Sequence, residues 1–324
     1  MTTYRVENQI KMKAIILNQP GGAENLAMAT VDIPVIRDNE VLIQTKAISV
    51  NPIDIKTRTG KGLFELLKDE MPLILGWDIS GVVTKVGADV TSLNPGDEVF
   101  GMVNFPGHGK AYAEYVAAPA NHLALKPAII SHQEAAATTL AALTAYQSIV
   151  HHAKVEKGQR VLIPAASGGV GHFAVQIAKS LGAYVIGTSS GANRDFVISL
   201  GADEHIDHQT VQFENVVTDI DMVLDTLGGT NTERALKVVK KGGTVVSIIT
   251  GSSAVVADMA KEMGINCYNV SVKSSGDDMK ELARLLSDGV LKAHISKTFA
   301  FDEMIEAHRQ IESGRTVGKI IVTL

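Results

Sequence analysis

Residues 160–171 read Arg160-Val-Leu-Ile-Pro-Ala-Ala-Ser-Gly-Gly-Val-Gly171. An apolar strand passes here into a glycine-rich turn, and the pattern that follows predicts a helix from Gly171 to Leu181. Small residues let backbone N–H groups approach a pyrophosphate, and the positive end of the helix dipole favours the same anion. A second strand, Ala183 to Gly187, completes a βαβ unit that predicts a dinucleotide site. The predicted phosphate-binding residues are Ala166, Ser167, Gly168, Gly169 and Val170.

The end of the second strand indicates which dinucleotide is bound. An NAD site usually has an Asp or Glu about 20 residues past the turn, but residues 187–194 read Gly-Thr-Ser-Ser-Gly-Ala-Asn-Arg. Small hydroxyls followed by a guanidinium suit the 2′-phosphate of NADPH. The residues predicted to bind this end of the coenzyme are Thr188, Ser189, Ser190, Asn193 and Arg194. The alternative is that Ser189, Ser190 and Asn193 only cap the helix predicted from Arg194 to Leu200.

Length and composition narrow the class of protein. A chain of 324 residues is long enough to predict two domains. Its net charge of −5 comes from interspersed Lys, Arg, Asp and Glu residues, which argues against a nucleic-acid or anionic-membrane partner. The uncharged run from Ala135 to Val150 is too short for a membrane span and predicts a buried helix. We expect a cytoplasmic protein, since no signal-peptide pattern precedes the first predicted strand.

Cysteine and histidine positions bear on metal binding. A single cysteine, Cys267, excludes an internal disulfide and a four-cysteine zinc site. It is predicted to pack as a small apolar residue in a strand from Ile265 to Val272. Residues 203–208, Asp-Glu-His-Ile-Asp-His, could hold a metal, but they follow a Leu-Gly helix stop. We interpret them as a polar connection leading into the third strand.

The order of elements predicts an α/β fold with a β-rich first part. Up to about residue 125, short strands alternate with Gly, Pro and Asn turn signals. From Ser131 helices and strands alternate, including a helix predicted from Asn231 to Val239, which is typical of a doubly wound sheet. The last residues form a strand, a helix and a terminal strand, Lys319 to Thr323, which we expect to return to the first domain.

Six motifs add a family resemblance to this pattern. They are Val50-Asn-Pro-Ile-Asp54, Leu75-Gly-Trp-Asp-Ile-Ser-Gly81, Pro95-Gly-Asp-Glu-Val99, Ala165-Ala-Ser-Gly-Gly-Val-Gly171, Leu200-Gly-Ala-Asp203 and Asp225-Thr-Leu-Gly-Gly229. Together they resemble the medium-chain dehydrogenase/reductase superfamily, over essentially the full length. Within it the chain resembles the zinc-free branch of NADPH:quinone oxidoreductases and alkenal/enone reductases.

The resemblance implies a fold of two domains with the active site in the cleft between them. Residues 1–130 and 295–324 would form a GroES-like substrate domain, and residues 131–294 a Rossmann NADP-binding domain. Zinc alcohol dehydrogenases of this superfamily have a Cys where Asn51 stands, and His-Glu where Trp77-Asp78 stands. The resemblance therefore implies a site without metal, in which hydrogen-bond donors polarise the substrate.

The implied reaction is hydride transfer from NADPH to a quinone or to the β-carbon of an enone or enal. Negative charge then builds on an oxygen, and Asn51 and Lys56 are the candidate donors to it. Lys56 could also deliver a proton, or it could be an ordinary solvated lysine. Quinone oxidoreductases often have Tyr at the position of Lys56 and enone reductases often have Lys. Asp54 is the third candidate at this site, with an alternative role in tying down the backbone.

Three further residues and a homodimer complete these expectations. Trp77 could line the substrate pocket or belong to the core. Thr144 resembles a residue that contacts the nicotinamide amide, but it could instead bond to the preceding helical turn. His208 stands where relatives often have a Tyr near the adenine ribose. The strand from Ile265 to Val272 could form a homodimer through its edge.

The alternative function is a catalytically vestigial NADPH-binding module that acts as a redox-responsive partner.

Overall fold

The computed structural model describes residues 11–249 and 254–324. The described strands are β1 (Lys11–Leu17), β2 (Leu26–Asp32), β3 (Glu40–Val50), β4 (Leu73–Ile74), β5 (Asp78–Val86), β6 (Glu98–Met102), β7 (Tyr115–Pro119), β8 (Leu123–Leu125), β9 (Arg160–Ile163), β10 (Tyr184–Ser189), β11 (Glu204–Asp207), β12 (Ile220–Asp225), β13 (Val239–Ser247), β14 (Asn266–Asn269), β15 (Ile295–Ala300) and β16 (Lys319–Thr323). The helices are α1 (Pro52–Arg58), α2 (Phe64–Leu67), α3 (His132–Ala137), α4 (Leu140–Tyr146), α5 (Gly171–Ser180), α6 (Arg194–Ser199), α7 (Thr230–Leu236), α8 (Ala254–Met263), α9 (Gly276–Ser287) and α10 (Met304–Glu312). Among these residues, no helix combines the length and the apolar character needed to cross a membrane.

Six parallel strands form a doubly wound sheet in the order β11-β10-β9-β12-β13-β14. Its centre is apolar because helices cover both faces. Val161 and Ile163 of β9 pack into the cluster that contains Phe173 of α5, whereas Leu162 packs into the cluster of Leu236 from α7. The strand order reverses between β9 and β12, which is where such sheets bind dinucleotides. The predicted Rossmann sheet is confirmed.

A three-stranded sheet has the order β2-β1-β4. A larger, seven-stranded sheet combines strands from the first part of the chain with β15 and β16. Its order is β15-β16-β3-β5-β6-β8, and β7 pairs with the first half of β3. The terminal strand β16 runs antiparallel to the second half of β3, so the tail returns to the sheet of the first part of the chain. The GroES-like part of the predicted fold class is confirmed. The exact domain limits predicted at residues 130 and 295 stay a prediction.

The predicted continuous helix from Ala135 to Val150 is wrong, because two threonines interrupt it. The hydroxyl groups of Thr138 and Thr139 each donate at 2.8 Å to a carbonyl oxygen of the preceding turn, in Glu134 and Ala136. Such bonds compete with the regular helix. Thr139 has φ −114° and ψ −103°, so α3 ends before it and α4 begins after it. A π-helical turn then continues α4 over Gln147–His152.

Three other predictions of local structure need correction. The polar stretch after Gly201 is not only a connection, since four of its residues form β11 at the edge of the sheet, where solvent tolerates polar side chains. Helix α7 ends at Leu236, and Val239 already belongs to β13. Strand β14 is shorter than the predicted strand from Ile265 to Val272.

Candidate active site

The glycine-rich turn joins β9 to the amino end of α5. A Cβ atom on Gly171 would lie 2.2 Å from the carbonyl oxygen of Ala165, so a larger residue would force the turn open. The N–H of Ala166 donates to the carbonyl oxygen of Thr188 at 2.8 Å, which ties the turn to the end of β10. The turn thus keeps its backbone at the end of α5 that favours anions. The dinucleotide-binding geometry predicted for residues 166–170 fits this arrangement.

A buried histidine supports the turn from the first residues of α5. His172 Nδ1 lies 2.9 Å from the carbonyl oxygen of Gly168, and its Nε2 accepts the backbone N–H of His294 at 3.4 Å. Such a ring donates through one nitrogen, accepts through the other and is therefore neutral. Burial lowers the pKa of His172 to about 3, which keeps it neutral. Sequence reasoning missed this residue, whose signal is a His in an otherwise apolar helix face.

The start of β16 contacts the turn from the opposite side. The N–H of Gly318 donates to the carbonyl oxygen of Ser167 at 2.8 Å. The Cδ atom of Lys319 lies 3.3 Å from where a Cβ on Gly169 would be. The carbon chain of this lysine therefore runs along the dinucleotide turn, and the larger side chain of any other residue in place of Gly169 would press against it.

Strand register places Asn51 between a lysine and an aspartate. On one side of β3, Ile320 of β16 pairs with Val50, and Ile320 directly follows Lys319. On the other side, β5 begins with Asp78 opposite Ser49. Because neighbouring strands set these positions, the side chains of Asn51, Lys319 and Asp78 converge at the end of β3 that faces the dinucleotide turn.

The carboxamide of Asn51 is fully engaged inside the protein. Its Nδ2 donates to Asp78 Oδ2 at 2.7 Å and to the carbonyl oxygen of Ser49 at 3.3 Å. Its Oδ1 accepts from the Lys319 ammonium group. A carboxamide has two N–H donors, so both are used, and Asn51 is only 1% exposed. Asn51 can donate to a substrate oxygen only by giving up one of these bonds.

The negative charge of Asp78 and the positive charge of Lys319, which both contact Asn51, compensate each other. Burial raises the pKa of Asp78, while the ammonium group of Lys319 and the N–H of Asn51 oppose this rise. Burial lowers the pKa of Lys319, and the carboxylates of Asp78 and Asp54 oppose that change. A buried ammonium near carboxylates is stable only as a set, so removal of one partner leaves an uncompensated charge.

A second series of buried polar groups holds the start of α1 in place. Asp54 Oδ2 accepts the backbone N–H of Asn51 at 2.7 Å and the hydroxyl of Tyr112 at 2.9 Å. The same hydroxyl oxygen lies 3.0 Å from His308 Nε2. Burial raises the pKa of Asp54 to about 7, although the Asn51 N–H and the Tyr112 hydroxyl favour the carboxylate. Asp54 therefore has the backbone-tying contact given as its alternative role.

Lys56 and Trp77 differ sharply in exposure. Lys56, on the same helix as Asp54, is exposed, so its ammonium group is available to a substrate or to water. Trp77 is 1% exposed, donates its indole N–H to the carbonyl oxygen of Gly107 at 2.7 Å, and packs edge to face on Phe105. These contacts agree with the core alternative for Trp77.

The residues predicted around the 2′-phosphate lie together at the carboxyl end of β10. Asn193 Nδ2 lies 3.3 Å from Ser167 Oγ, which links this region to the glycine-rich turn. Arg194 has an exposed side chain, with Asp195 3.6 Å away, and His208 is also exposed. The backbone N–H of His208 donates to the carbonyl oxygen of Ser189 at 3.1 Å.

The hydroxyl group of Ser189 is already hydrogen-bonded within the protein. It is 2% exposed, and its hydroxyl donates to the carbonyl oxygen of Ser190 at 3.1 Å. The same oxygen lies 2.7 Å from Nε2 of His205, a residue that sequence reasoning did not select. The hydroxyl group of Thr144 is also hydrogen-bonded within the protein, since it donates to the carbonyl oxygen of Leu140 at 2.7 Å. This bond to the preceding turn is the alternative given for Thr144.

The residues at the zinc position of the alcohol dehydrogenases do not fit zinc. A structural or catalytic zinc needs several thiolate, imidazole or carboxylate ligands. Asn51 and Trp77 donate their N–H groups within the protein, and Asp78 is the carboxylate at this point, bonded to Asn51 and to the N–H of Leu140. Over residues 11–249 and 254–324, His, Cys, Asp and Glu side chains form no group of three that could hold a metal ion.

Comparison with known proteins matches both parts of the fold. Residues 37–128 match the alcohol dehydrogenase GroES-like domain, and residues 200–322 match a domain described as zinc-binding dehydrogenase. The chain is 35% identical to the 2-methylene-furan-3-one reductase of Solanum lycopersicum, over 99% of this chain and 81% of that protein.

Two solved structures share the whole architecture. The quinone oxidoreductase of Coxiella burnetii is 36% identical, with a TM-score of 0.92 over 97% of this chain and 100% of that one. The Escherichia coli quinone oxidoreductase, solved in complex with NADPH, is 26% identical, with a TM-score of 0.86 over 96% of this chain and 100% of that one. From its fold, its dinucleotide turn and these relatives, the chain belongs to the medium-chain dehydrogenase/reductase superfamily of oxidoreductases.

Proposed function

We propose that the protein transfers hydride from NADPH to a quinone or to the β-carbon of an α,β-unsaturated carbonyl compound. The observation that carries this proposal is the contact of Lys319 with both the glycine-rich turn and Asn51. This contact joins the nucleotide site to the groups that face a hydride acceptor. The names of the tomato and Coxiella relatives favour the same two substrate classes.

The dinucleotide turn has the shape that a pyrophosphate requires. Backbone N–H groups of residues 166–170 would hold the phosphates at the amino end of α5. When bound, the coenzyme supplies the hydride. Because α4 packs on α5 and Lys319 of β16 contacts the turn, Thr144 and Lys319 would border the nicotinamide end of the coenzyme. Residues at the end of β10 would hold the adenosine end.

Lys56 is the best candidate to stabilise charge on the reacting oxygen. It is exposed, whereas the donors of Asn51 are already used inside the protein. Its ammonium group can donate to a developing enolate or hydroquinone oxygen and can pass on a proton, directly or through water. In this account Asn51 and Asp54 are positioning residues, because they fix the start of the helix that carries Lys56. The resemblance to enone reductases, which often have Lys at this position, favours an enone or enal over a quinone.

We further propose a preference for NADPH over NADH. Ser190, Asn193, Arg194 and His208 offer donors and positive charge at the end of β10, and Arg194 is exposed enough to reach a bound phosphate. Ser189 supports this region from within, through its bonds to Ser190 and His205. Fluorescence titration of both coenzymes tests this proposal, with tighter binding of NADPH expected.

The reaction is proposed to need no zinc, because the donor set at Asn51, Trp77 and Asp78 does not fit a zinc ion. Overnight dialysis against a chelator should leave turnover unchanged, with residual metal measured by mass spectrometry. Loss of turnover that added zinc restores would overturn this part of the proposal.

The second candidate is an NADPH-binding module without catalysis, which the occupied donors of Asn51 favour. Oxidation of NADPH, followed by absorbance against a naphthoquinone, an ortho-quinone, a 2-alkenal and a vinyl ketone, separates the two candidates. A reductase consumes NADPH with at least one acceptor. A binding module quenches or shifts the coenzyme fluorescence and consumes none. The cytoplasmic location stays a prediction, which cell fractionation can test.

A further inference from the structure

His205 of β11 lies against the end of β10, next to the region proposed for the 2′-phosphate. Its Nε2 atom is 2.7 Å from the hydroxyl oxygen of Ser189. The Ser189 hydroxyl donates its single proton to the carbonyl oxygen of Ser190 at 3.1 Å. In the tautomer that carries its proton on Nε2, and in the protonated ring, His205 donates to Ser189. This series of bonds orders the backbone turn at Ser190, which leads into Arg194.

The groups around His205 set its charge. Asp207, on the same strand, favours the charged ring, while His208 in the following turn and Arg194 of α6 oppose it. From β10, the hydroxyl of Ser189 faces the ring. Burial is the largest influence and lowers the pKa of His205, so the ring is neutral at pH 7 without coenzyme. A phosphate dianion bound beside it would act in the opposite direction and stabilise the imidazolium form.

We propose that His205 is a proton-dependent specificity residue, which orders the end of β10 through Ser189 and adds positive charge beside the 2′-phosphate of NADPH when it is protonated. The inference rests on the proposed use of NADPH. Binding of the phosphate takes up a proton at His205, so acid strengthens the binding of NADPH. NADH lacks this phosphate, and its affinity is independent of the charge on His205.

Replacement of His205 by two different residues separates its charge from its hydrogen bond. In His205→Gln the amide can still donate to Ser189, but the charge is lost. In His205→Val both are lost. The matched control is His132→Gln, because His132 in α3 has a comparable contact, 2.8 Å from its Nδ1 to the hydroxyl of Ser80. His132 lies against the seven-stranded sheet, away from the dinucleotide turn.

The measured quantity is the ratio of the Kd of NADH to the Kd of NADPH, from fluorescence titrations between about pH 8 and about pH 5.5, a range that spans histidine titration. The 2′-phosphate itself gains a proton near pH 6, which lowers the ratio in every variant. Dividing the wild-type ratio by the His205→Gln ratio cancels that effect. The quotient should be close to one at the alkaline end and rise about threefold to tenfold at the acid end. His205→Val should weaken NADPH binding even at the alkaline end, and His132→Gln should follow the wild type.

Proton uptake gives an independent readout. Calorimetric titrations in two buffers with different ionisation enthalpies, near pH 6.5, should show more protons taken up with NADPH by the wild type than by His205→Gln. The two proteins should agree with NADH. A quotient that stays flat with pH, or one that rises equally for His132→Gln, would overturn the role of His205 while an NADPH preference stood. Equal affinity of the wild type for both coenzymes at every pH would overturn the proposed coenzyme choice as well.

Discussion

At the scale of single residues, the site separates groups that hold the structure from groups that can react. Asn51 is hydrogen-bonded to both Asp78 and Lys319 and all three are buried, whereas Lys56 on the adjoining helix is exposed. Buried polar groups that are fully bonded fix a geometry, and freeing one of them is costly. The reactive donor is therefore expected among the exposed groups, and two predictions follow from this division.

The first prediction concerns Lys56. Lys56→Ala should lower kcat on enones much more than it raises KM, since an ammonium group aimed at developing negative charge acts mainly in the transition state. Loss of one such donor typically costs on the order of 3 kcal/mol, or about a hundredfold in rate. Steady-state kinetics with a vinyl ketone would measure this. Lys61→Ala, in a neighbouring exposed lysine, is the control and should behave like the wild type. Unchanged kinetics in Lys56→Ala would make Lys56 an ordinary solvated lysine.

The second prediction concerns Asp54 and pH. Burial raises its pKa from 3.8 to about 7, so the folded protein holds this proton more tightly than the unfolded chain does. The stability contributed by this group is therefore complete at acid pH and is lost as the pH rises through about 7. Asp54→Asn keeps an acceptor for the Asn51 N–H and removes the titration. Urea unfolding between acid and mildly alkaline pH should show the variant gaining stability relative to the wild type as the pH rises.

Asp302→Asn is the matched control for this experiment, because Asp302 is exposed near the start of a helix. It should follow the pH dependence of the wild type. Parallel pH curves for the wild type and Asp54→Asn would contradict a raised pKa at Asp54.

At the scale of elements, sequence patterns predicted the parts of the site that local rules govern. The turn of residues 166–170 and its flanking strand and helix follow from small residues and apolar periodicity. Lys319, His172 and His205 could not be found in this way, because their partners lie far along the chain and meet them only through sheet register or helix packing. The break between α3 and α4 was missed because the side-chain bonds of Thr138 and Thr139 override an apolar pattern.

The dinucleotide turn itself gives a prediction at this scale. Gly171→Ala should weaken binding of NADPH and NADH alike, because the new Cβ would lie 2.2 Å from the carbonyl oxygen of Ala165 and displace the turn. Fluorescence titration measures the affinities, and circular dichroism checks that the fold survives. A folded variant that binds both coenzymes like the wild type would show that the turn does not hold the pyrophosphate.

At the scale of the whole molecule, β16 of the seven-stranded sheet contacts the dinucleotide turn of the six-stranded sheet, whose two outermost described strands are β11 and β14. In the described part of the chain β14 pairs with β13 alone, and Tyr268 on it is 44% exposed. An edge strand with an exposed aromatic side chain favours pairing with another strand, and a second copy of the chain would pair with β14 by two-fold symmetry. The overall architecture was predictable because its signals repeat along the chain. The oligomeric state was not predictable in the same way, since only one short strand indicates it.

We predict a homodimer that forms through β14. Light scattering coupled to gel filtration should give twice the mass of one chain for the wild type. Tyr268→Lys should shift the protein toward the monomer, because a charge at the centre of a paired edge opposes association. Lys297→Ala, at an exposed position of β15 in the other sheet, is the control and should remain dimeric. A monomeric wild type would contradict the prediction.

The central claim is transfer of hydride from the coenzyme to an activated acceptor, and isotope transfer tests it most directly. NADPH carrying deuterium at the transferable position of C4 would be incubated with the protein and a vinyl ketone, and the saturated product analysed by mass spectrometry and NMR. The account predicts one deuterium in each product molecule, bound to the former β-carbon, with the proton on the neighbouring carbon taken from the solvent. Product without deuterium, or bound coenzyme that is never oxidised in the presence of any acceptor of the panel, would contradict it.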